Sequence, residues 1–119
     1  MSLSTELSEH LMSPRHVGEL PEGADPPGRG QGENQACGDV LVVEARFAPG
    51  LELAWRAQAC GAVIAVASLA ASCLQGLGRD EVLAFDLGAR VAAAGGLDRR
   101  GAHAVKVFER ALAAALAGA

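Results

Sequence analysis

The 22 residues between Arg56 and Arg79 contain no charged side chain, and this run constrains the fold more than any other feature of the sequence. An apolar stretch of about 20 residues can span a bilayer as a helix. Here, however, glutamine, serine and glycine residues interrupt the run, and its strongly apolar part is limited to residues 62–74. We therefore expect residues 61–75 to form a helix buried in the core of a protein without a membrane-spanning segment.

The composition around this helix indicates one domain with a core of small side chains. The chain has 119 residues, and 50% of them are hydrophobic, whereas only 3% are aromatic. A chain of this length can form one core but not two. We interpret residues 1–119 as a single domain with a glycine- and proline-rich loop at 18–36. The net charge of −4, without a basic cluster, argues against nucleic acid as a partner.

A short helix and a β-hairpin are predicted on either side of this loop. Residues 4–13 favour a helix with Ser4 or Thr5 as its N-cap. The partly alternating, β-branched segment 40–57 is divided by the turn signal Pro49-Gly50, which predicts an antiparallel hairpin.

On the first strand of this hairpin, Glu44 and Arg46 are two residues apart and therefore lie on one face of the strand. We expect this face to be exposed to solvent, because both side chains are charged.

Helices are predicted for the remainder of the chain. After the helix at 61–75, Asp80 can cap a second helix at 81–94, and a third is expected at 102–117. The third helix carries one apolar stripe, formed by Val105, Phe108, Leu112 and Leu116. The order of helix, loop, hairpin and three helices indicates an α+β domain with helices packed on one face of a small antiparallel β-sheet.

The three cysteines are an odd number and do not suggest a disulfide framework. The first twenty residues lack the continuous apolar segment of a signal peptide. We therefore expect the protein to work in the reducing cytoplasm.

Cys37 and Asp39 are the first pair of candidate site residues. In an extended backbone the two side chains project to the same side, so thiol and carboxylate can converge. Gly38 leaves the space between them free for backbone approach or for a positive φ. Taken alone, a small buried cysteine beside a turn aspartate is the more common situation.

Cys60 and His103 each stand at the start of a predicted helix. The helix dipole favours a thiolate at Cys60 and a neutral imidazole at His103, and both forms bind metals. A structural cysteine and a capping histidine remain alternatives. Because the hairpin joins Cys37 to Cys60, both should lie at one end of the sheet. With Asp39, these residues can form a Cys₂HisAsp set for Zn²⁺, or anchors for iron and sulfide.

The other cysteine and histidines are expected outside this site. Cys73 lies thirteen residues after Cys60 on the same predicted helix, a rise of about 20 Å, so we assign it to core packing. His10 and His16 are expected at the surface, with access to the site only if the N-terminal arm folds back.

Three motifs, in this order and spacing, resemble a known family. H-L-M-S-P-R-H-V-G-E-L at 10–20 looks like the end of a first helix followed by an Asn-Pro-Arg-Asn-type turn. A-C-G-D-V at 36–40 is similar to a hallmark Cys-Gly-Asp, and A-C-G-A-V-I-A-V-A-S-L at 59–69 resembles a Gly-Cys-Gly-x-Ala-Ile-Ala-Ser-Ser-Ser motif. The family is that of the U-type iron–sulfur cluster scaffolds, the IscU and NifU N-terminal type, and the resemblance covers nearly the whole chain.

The resemblance implies that Cys37, Asp39, Cys60 and His103 line one site at the tip of the fold. Such a site receives iron and persulfide sulfur, holds a transient [2Fe–2S] cluster and passes it to other proteins, and several family members hold zinc instead. A cysteine desulfurase and apo iron–sulfur acceptor proteins are the implied partners. The resemblance implies a binding protein and not an enzyme.

The chain departs from the family's pattern at three places. Ala104 stands where the family has a third cysteine, which counts against sulfur transfer onto this chain. L-D-R-R-G at 97–101 replaces a Leu-Pro-Pro-Val-Lys-type segment, which counts against recognition by the dedicated chaperone. Of three serines after Cys60, only Ser68 is kept. A second interpretation is therefore a divergent relative that serves as a protein-interaction or regulatory module, with zinc or no metal.

Overall fold

The computed structural model describes residues 3–23, 25–99 and 101–118. Its helices and strands are α1 (Thr5–Met12), β1 (Gly28–Asn34), β2 (Asp39–Phe47), β3 (Leu51–Gln58), α2 (Gly61–Leu74), α3 (Arg79–Ala84), α4 (Leu87–Ala93) and α5 (Ala104–Ala117). The strands form one antiparallel sheet in the order β1-β2-β3. Helix α5 packs on β1 and β2, α2 packs on β3, and α1 packs on α2. The predicted α+β class, with helices on a small antiparallel sheet, is confirmed.

The predicted first helix and hairpin are confirmed with small shifts of their bounds. Ser4 caps α1, since its Oγ accepts the backbone N–H of Leu7 at 3.2 Å. Strands β2 and β3 pair without interruption up to the turn that contains Pro49-Gly50.

The predicted loop at 18–36 is wrong over residues 28–34, which form β1. This segment, G-R-G-Q-G-E-N, alternates glycine with polar residues, and a period of two is that of a strand. Because glycine is usually a turn signal, the composition of the segment hides its period. Ala24, also in the predicted loop, lies outside the described residues.

The glycines of β1 let helix α5 approach the sheet at backbone distance. A β-carbon on Gly30 would collide with the carbonyl oxygen of Ala111, and one on Gly32 would collide with the carbonyl oxygen of Val107. Only glycine fits at these positions. This contact holds the start of α5 beside the turn between β1 and β2.

Of the predicted stripe on helix α5, only Phe108 is buried. Its buried residues are Ala104, Val107, Phe108, Ala111 and Ala115, three of which are alanines. The larger Val105, Leu112 and Leu116 are only partly buried against the core. Small side chains face β1 because the close contact with its glycines leaves no room for larger ones.

The predicted single helix at 81–94 is wrong, because the chain leaves the helical conformation between α3 and α4. Asp86 accepts the backbone N–H of Ala89 at 3.0 Å and thereby caps α4 as a new helix. Gly78, and not Asp80, stands at the N-cap of α3.

The expectation that Glu44 and Arg46 are exposed to solvent is also wrong, since their exposed fractions are only 4% and 8%. Leu20 donates its backbone N–H to Glu44 at 2.9 Å, and Arg29 forms an ion pair with the same carboxylate at 2.7 Å. Arg46 pairs with Glu52 at 2.6 Å. The segment after α1 covers this face of the sheet, so the charges are buried but paired.

His10 is buried, with an exposed fraction of 6%, so its predicted surface position is wrong. Its Nδ1 lies 2.6 Å from the hydroxyl of Ser68, which accepts the backbone N–H of Arg15 at 2.9 Å. Burial, and secondarily the charge of Arg15, lower the pKa of His10. His16 is exposed, as predicted.

Helix α2 is the buried helix predicted from the uncharged run, and ten of its fourteen residues are buried. Within the described ranges, no helix combines the length and the apolar character that crossing a bilayer requires. Cys73 lies near the end of α2 and packs against the core, as predicted, whereas Cys60 precedes the first residue of the helix.

Candidate metal centre

The four predicted site residues come from segments that meet at one end of the sheet. Cys37 lies in the turn between β1 and β2, and Asp39 is the first residue of β2. Cys60 is the N-cap residue of α2, and His103 is the N-cap residue of α5. Both residues therefore lie at helix starts, as predicted. The antiparallel register of β2 and β3 places the start of one strand beside the end of the other.

Cys37 is presented by a tight turn and not by an extended strand. Its backbone N–H donates to the carbonyl of Asn34 at 3.2 Å, and Gly38 has a φ of 71°. The expectation of an extended backbone is therefore wrong at Gly38, whereas the alternative, a positive φ, is confirmed. The turn leaves the thiol of Cys37 exposed, while Cys60 is half-buried.

Asp39 forms hydrogen bonds with two other residues of the site, Cys60 and His103. Its side chain is buried, and Oδ1 accepts the backbone N–H of Cys60 at 2.7 Å. The other oxygen, Oδ2, lies 2.7 Å from Nε2 of His103. Asp39 therefore ties the start of β2 to the starts of both helices. Asp39 thus has a structural role in addition to its predicted role as a ligand. In the sequence, only the order of the segments indicates this structural role.

His103 donates this hydrogen bond through Nε2, because a carboxylate only accepts. The same nitrogen is the atom that faces the other candidate ligands. Binding of a metal at Nε2 would require the ring proton to reside on Nδ1 and would replace the hydrogen bond to Asp39.

The side chains of the site are close to the spacing of metal ligands. Cys60 Sγ lies 3.8 Å from Asp39 Oδ2 and 3.7 Å from His103 Nε2. The ligand atoms of Cys37, Asp39 and His103 all lie within 4.8 Å of one another. Two tetrahedral ligands, each about 2.0–2.3 Å from an ion, lie about 3.3–3.8 Å apart. Asp39 and His103 therefore lie close to both thiols, at separations near those of two ligands of one ion.

Ala104, which follows His103, is fully buried at the first position of α5. Its methyl group offers no ligand, so the site has two thiols. Ser68 also lies outside the site, where it binds His10 and Arg15. The segment 97–101 includes Arg100, which lies outside the described residues.

A cleft of about 530 Å³, which the sequence does not predict, opens beside the site. It is lined by Glu33, Asn34, Gln35, Ala36, His103, Lys106, Val107 and Arg110. In the sequence, only the four-residue spacing of Lys106 and Arg110 points to this cleft, because it places both cations on one face of a helix.

Comparison with protein families matches residues 3–118 to the NifU-like N terminal domain. No curated protein sequence matches the chain.

Solved structures share the fold. A NifU-like protein (N-terminal) from Brucella abortus is 21% identical, with a TM-score of 0.59 over 89% of this chain and 74% of that one. A putative iron–sulfur cluster assembly scaffold protein for the SUF system from Fervidobacterium islandicum is 16% identical, with a TM-score of 0.59 over 89% and 79% of the two chains. A hypothetical protein solved at 2.3 Å resolution is 21% identical, with a TM-score of 0.60 over 87% and 76%. At these identities the likeness concerns the fold alone.

Proposed function

The chain belongs to the family of NifU-like N-terminal domains, and we propose that it is a scaffold for iron–sulfur cluster assembly. Its cargo is iron or a transient [2Fe–2S] cluster, and the same site can take Zn²⁺. Cys37 and Cys60 are the proposed thiolate ligands, Asp39 the oxygen ligand and His103 the nitrogen ligand. The observation that carries the proposal is the convergence of these four side chains from separate segments.

The donor set suits this cargo. Thiolate ligands bind zinc and the iron of iron–sulfur clusters preferentially. Imidazole is also a ligand for both metals. Asp39 faces the other proposed ligands with Oδ2, whereas its Oδ1 accepts the backbone N–H of Cys60. A hard oxygen ligand next to soft thiolates binds iron–sulfur species less firmly than a third thiolate, and weak retention is appropriate for a protein that passes its cargo on.

We further propose that cargo arrives from the side of Cys37. The thiol of Cys37 is exposed, while Asp39 is buried behind it. A cysteine desulfurase and apo iron–sulfur acceptor proteins are the proposed partners, and they would approach from the side of Cys37. The protein binds and transfers cargo in this proposal and does not turn over a substrate.

Ala104 favours a second candidate function. With alanine after His103, the site lacks a third thiol, and the position is fully buried. A relative that had lost cluster assembly would keep the fold as a protein-interaction or regulatory module with zinc or no metal.

Anaerobic reconstitution with iron and sulfide, followed by metal analysis and visible absorption spectroscopy, distinguishes the two functions. A scaffold is expected to take up iron and sulfide and to show the charge-transfer absorption of a cluster. Uptake of zinc without iron would favour the second function. A folded protein that takes up neither iron nor zinc would contradict the scaffold proposal.

A further inference from the structure

The cleft beside the candidate metal centre is lined by more positive than negative side chains. Lys106 and Arg110 lie four residues apart on α5, a rise of about 6 Å, and both are exposed. The one carboxylate that lines the cleft belongs to Glu33, and it accepts a hydrogen bond from Gln31 at 2.7 Å. The cleft therefore carries two cations against one carboxylate, although the whole chain has a net charge of −4.

All three arginines of the sheet and the one arginine of α4 are paired, in contrast to these two cations. Arg29, Arg46, Arg56 and Arg90 each lie within 2.7 Å of a glutamate oxygen. Among the described residues, no carboxylate oxygen lies within 4 Å of the charged groups of Lys106 or Arg110. Their charges are thus available to a carboxylate from another molecule.

The charge of Lys106 does not stabilise α5. Lys106 lies in the first turn of this helix, which contains no acidic residue. A positive charge in a first turn is disfavoured by the helix dipole, typically by about 0.3–1 kcal/mol. Stabilisation of the helix therefore does not account for a cation at this position.

We propose that this cleft docks an acidic peptide segment of the protein that exchanges cargo with the neighbouring metal centre. A segment in the cleft contacts His103, which is a proposed ligand, and Ala36, which precedes Cys37. The role in cargo exchange rests on the proposed function, whereas binding of the peptide does not.

The shape of the cleft favours a peptide over a small anion. Its volume of about 530 Å³ exceeds what one carboxylate or phosphate group fills, and it extends from the turn between β1 and β2 along about two turns of α5. Asn34 and Gln35 add amide groups that can bond a peptide backbone. Two carboxylates spaced along a chain can pair with Lys106 and Arg110 together.

Titration of ¹⁵N-labelled protein with a blocked six-residue peptide of alternating glutamate and aspartate tests the proposal by NMR. The amide shifts are expected to cluster at residues 33–36 and 103–110, and to weaken as salt is added. The peptide of alternating glutamine and asparagine is the control and should cause no such shifts. No clustered shifts with the acidic peptide, or shifts centred elsewhere, would overturn the proposal.

Citrate at the same carboxylate concentration is the second arm of the titration. If it shifts the same amides as strongly as the peptide does, the occupant is a small anion and the assignment to a peptide is wrong. If its effect is clearly weaker, the assignment is supported.

A matched pair of variants links the binding to the two cations. Lys106→Gln/Arg110→Gln is expected to weaken peptide binding about fivefold to tenfold, and glutamine preserves helix propensity. Arg15→Gln removes a cation outside the cleft and should leave binding unchanged. Equal binding by the double variant and the parent would contradict the proposal.

Zinc uptake by the double variant separates this proposal from the proposed function. Unchanged zinc uptake with weakened peptide binding supports the docking cleft independently. Loss of peptide binding together with loss of zinc uptake would mean that the two cations act on the metal centre itself, which would overturn the docking role.

Discussion

Asp39 Oδ2 and His103 Nε2 lie 2.7 Å apart, and this hydrogen bond joins the start of β2 to the start of α5. The second oxygen of the same carboxylate accepts the backbone N–H of Cys60 at 2.7 Å. One buried side chain therefore positions two of the proposed ligands, and it is itself the proposed third ligand.

Replacing Asp39 should reduce stability even without metal. Asp39→Ala leaves the backbone N–H of Cys60 without its acceptor, and we expect the free energy of unfolding to fall by about 1–3 kcal/mol. Asp39→Asn keeps one oxygen and should lose less. Urea denaturation of the metal-free proteins measures both changes. Asp80→Ala, at an exposed position, is the control, and equal stability of Asp39→Ala and this control would contradict the role given to Asp39.

The glycines of β1 should be among the least replaceable residues of the fold. Gly30→Ala forces a β-carbon into the backbone of α5, and we expect a loss of about 3 kcal/mol or more, or a failure to fold. Gly78→Ala is the matched control, because its β-carbon would meet only the flexible side chain of Glu81 at 3.4 Å. Thermal unfolding followed by circular dichroism compares them. A Gly30→Ala protein as stable as the control would refute the direct contact between β1 and α5.

His10 should make stability depend on pH in a window just below its ordinary pKa of 6.5. Burial lowers the pKa of His10 in the folded protein, so the unfolded chain takes up the proton first. The stabilisation is therefore complete above pH 6.5 and is lost as the pH falls below that value. The hydrogen bond from Arg90 holds the pKa of Glu6 below its ordinary 4.5, so the contribution of Glu6 is lost only at lower pH.

Urea denaturation between pH 7 and pH 5 measures this dependence. His10→Gln should flatten the decline in stability, and His16→Gln, which replaces an exposed histidine, should leave it unchanged. The same slope in all three proteins would show that His10 is not the group responsible.

Restoring a thiol at position 104 should not create a second reactive cysteine. Ala104 is fully buried, whereas Cys37 is the exposed thiol of the site. Ala104→Cys is therefore expected to react with a thiol reagent more slowly than Cys37, and the number of fast-reacting thiols should stay the same. Counting thiols against time in the parent and in the variant measures this. An additional fast phase would show that the start of α5 opens in solution.

Features that depend on local pattern are readable from the sequence. The N-cap at Ser4, the hairpin around Pro49-Gly50 and the long apolar helix each follow from a few neighbouring residues. These elements are sufficient to indicate the α+β class. They also place Cys37 and Cys60 at one end of the sheet, because the second strand of a hairpin ends beside the start of the first.

Features that depend on contacts between distant segments are not readable in this way. Strand β1 looks like a loop because its glycines are required by α5, which lies about 80 residues later. Glu44 and His10 look exposed because their partners, Arg29 and Ser68, lie far away in the sequence. The second role of Asp39 is hidden for the same reason.

The metal content of two cysteine variants tests the central claim most directly. After anaerobic reconstitution, metal analysis should find the metal-to-protein ratio of the parent in Cys73→Ser, because Cys73 packs against the core near the far end of α2. Cys60→Ser should lose the metal, because Cys60 Sγ lies within 3.8 Å of both Asp39 and His103. Equal metal contents in the two variants would contradict the assignment of the site.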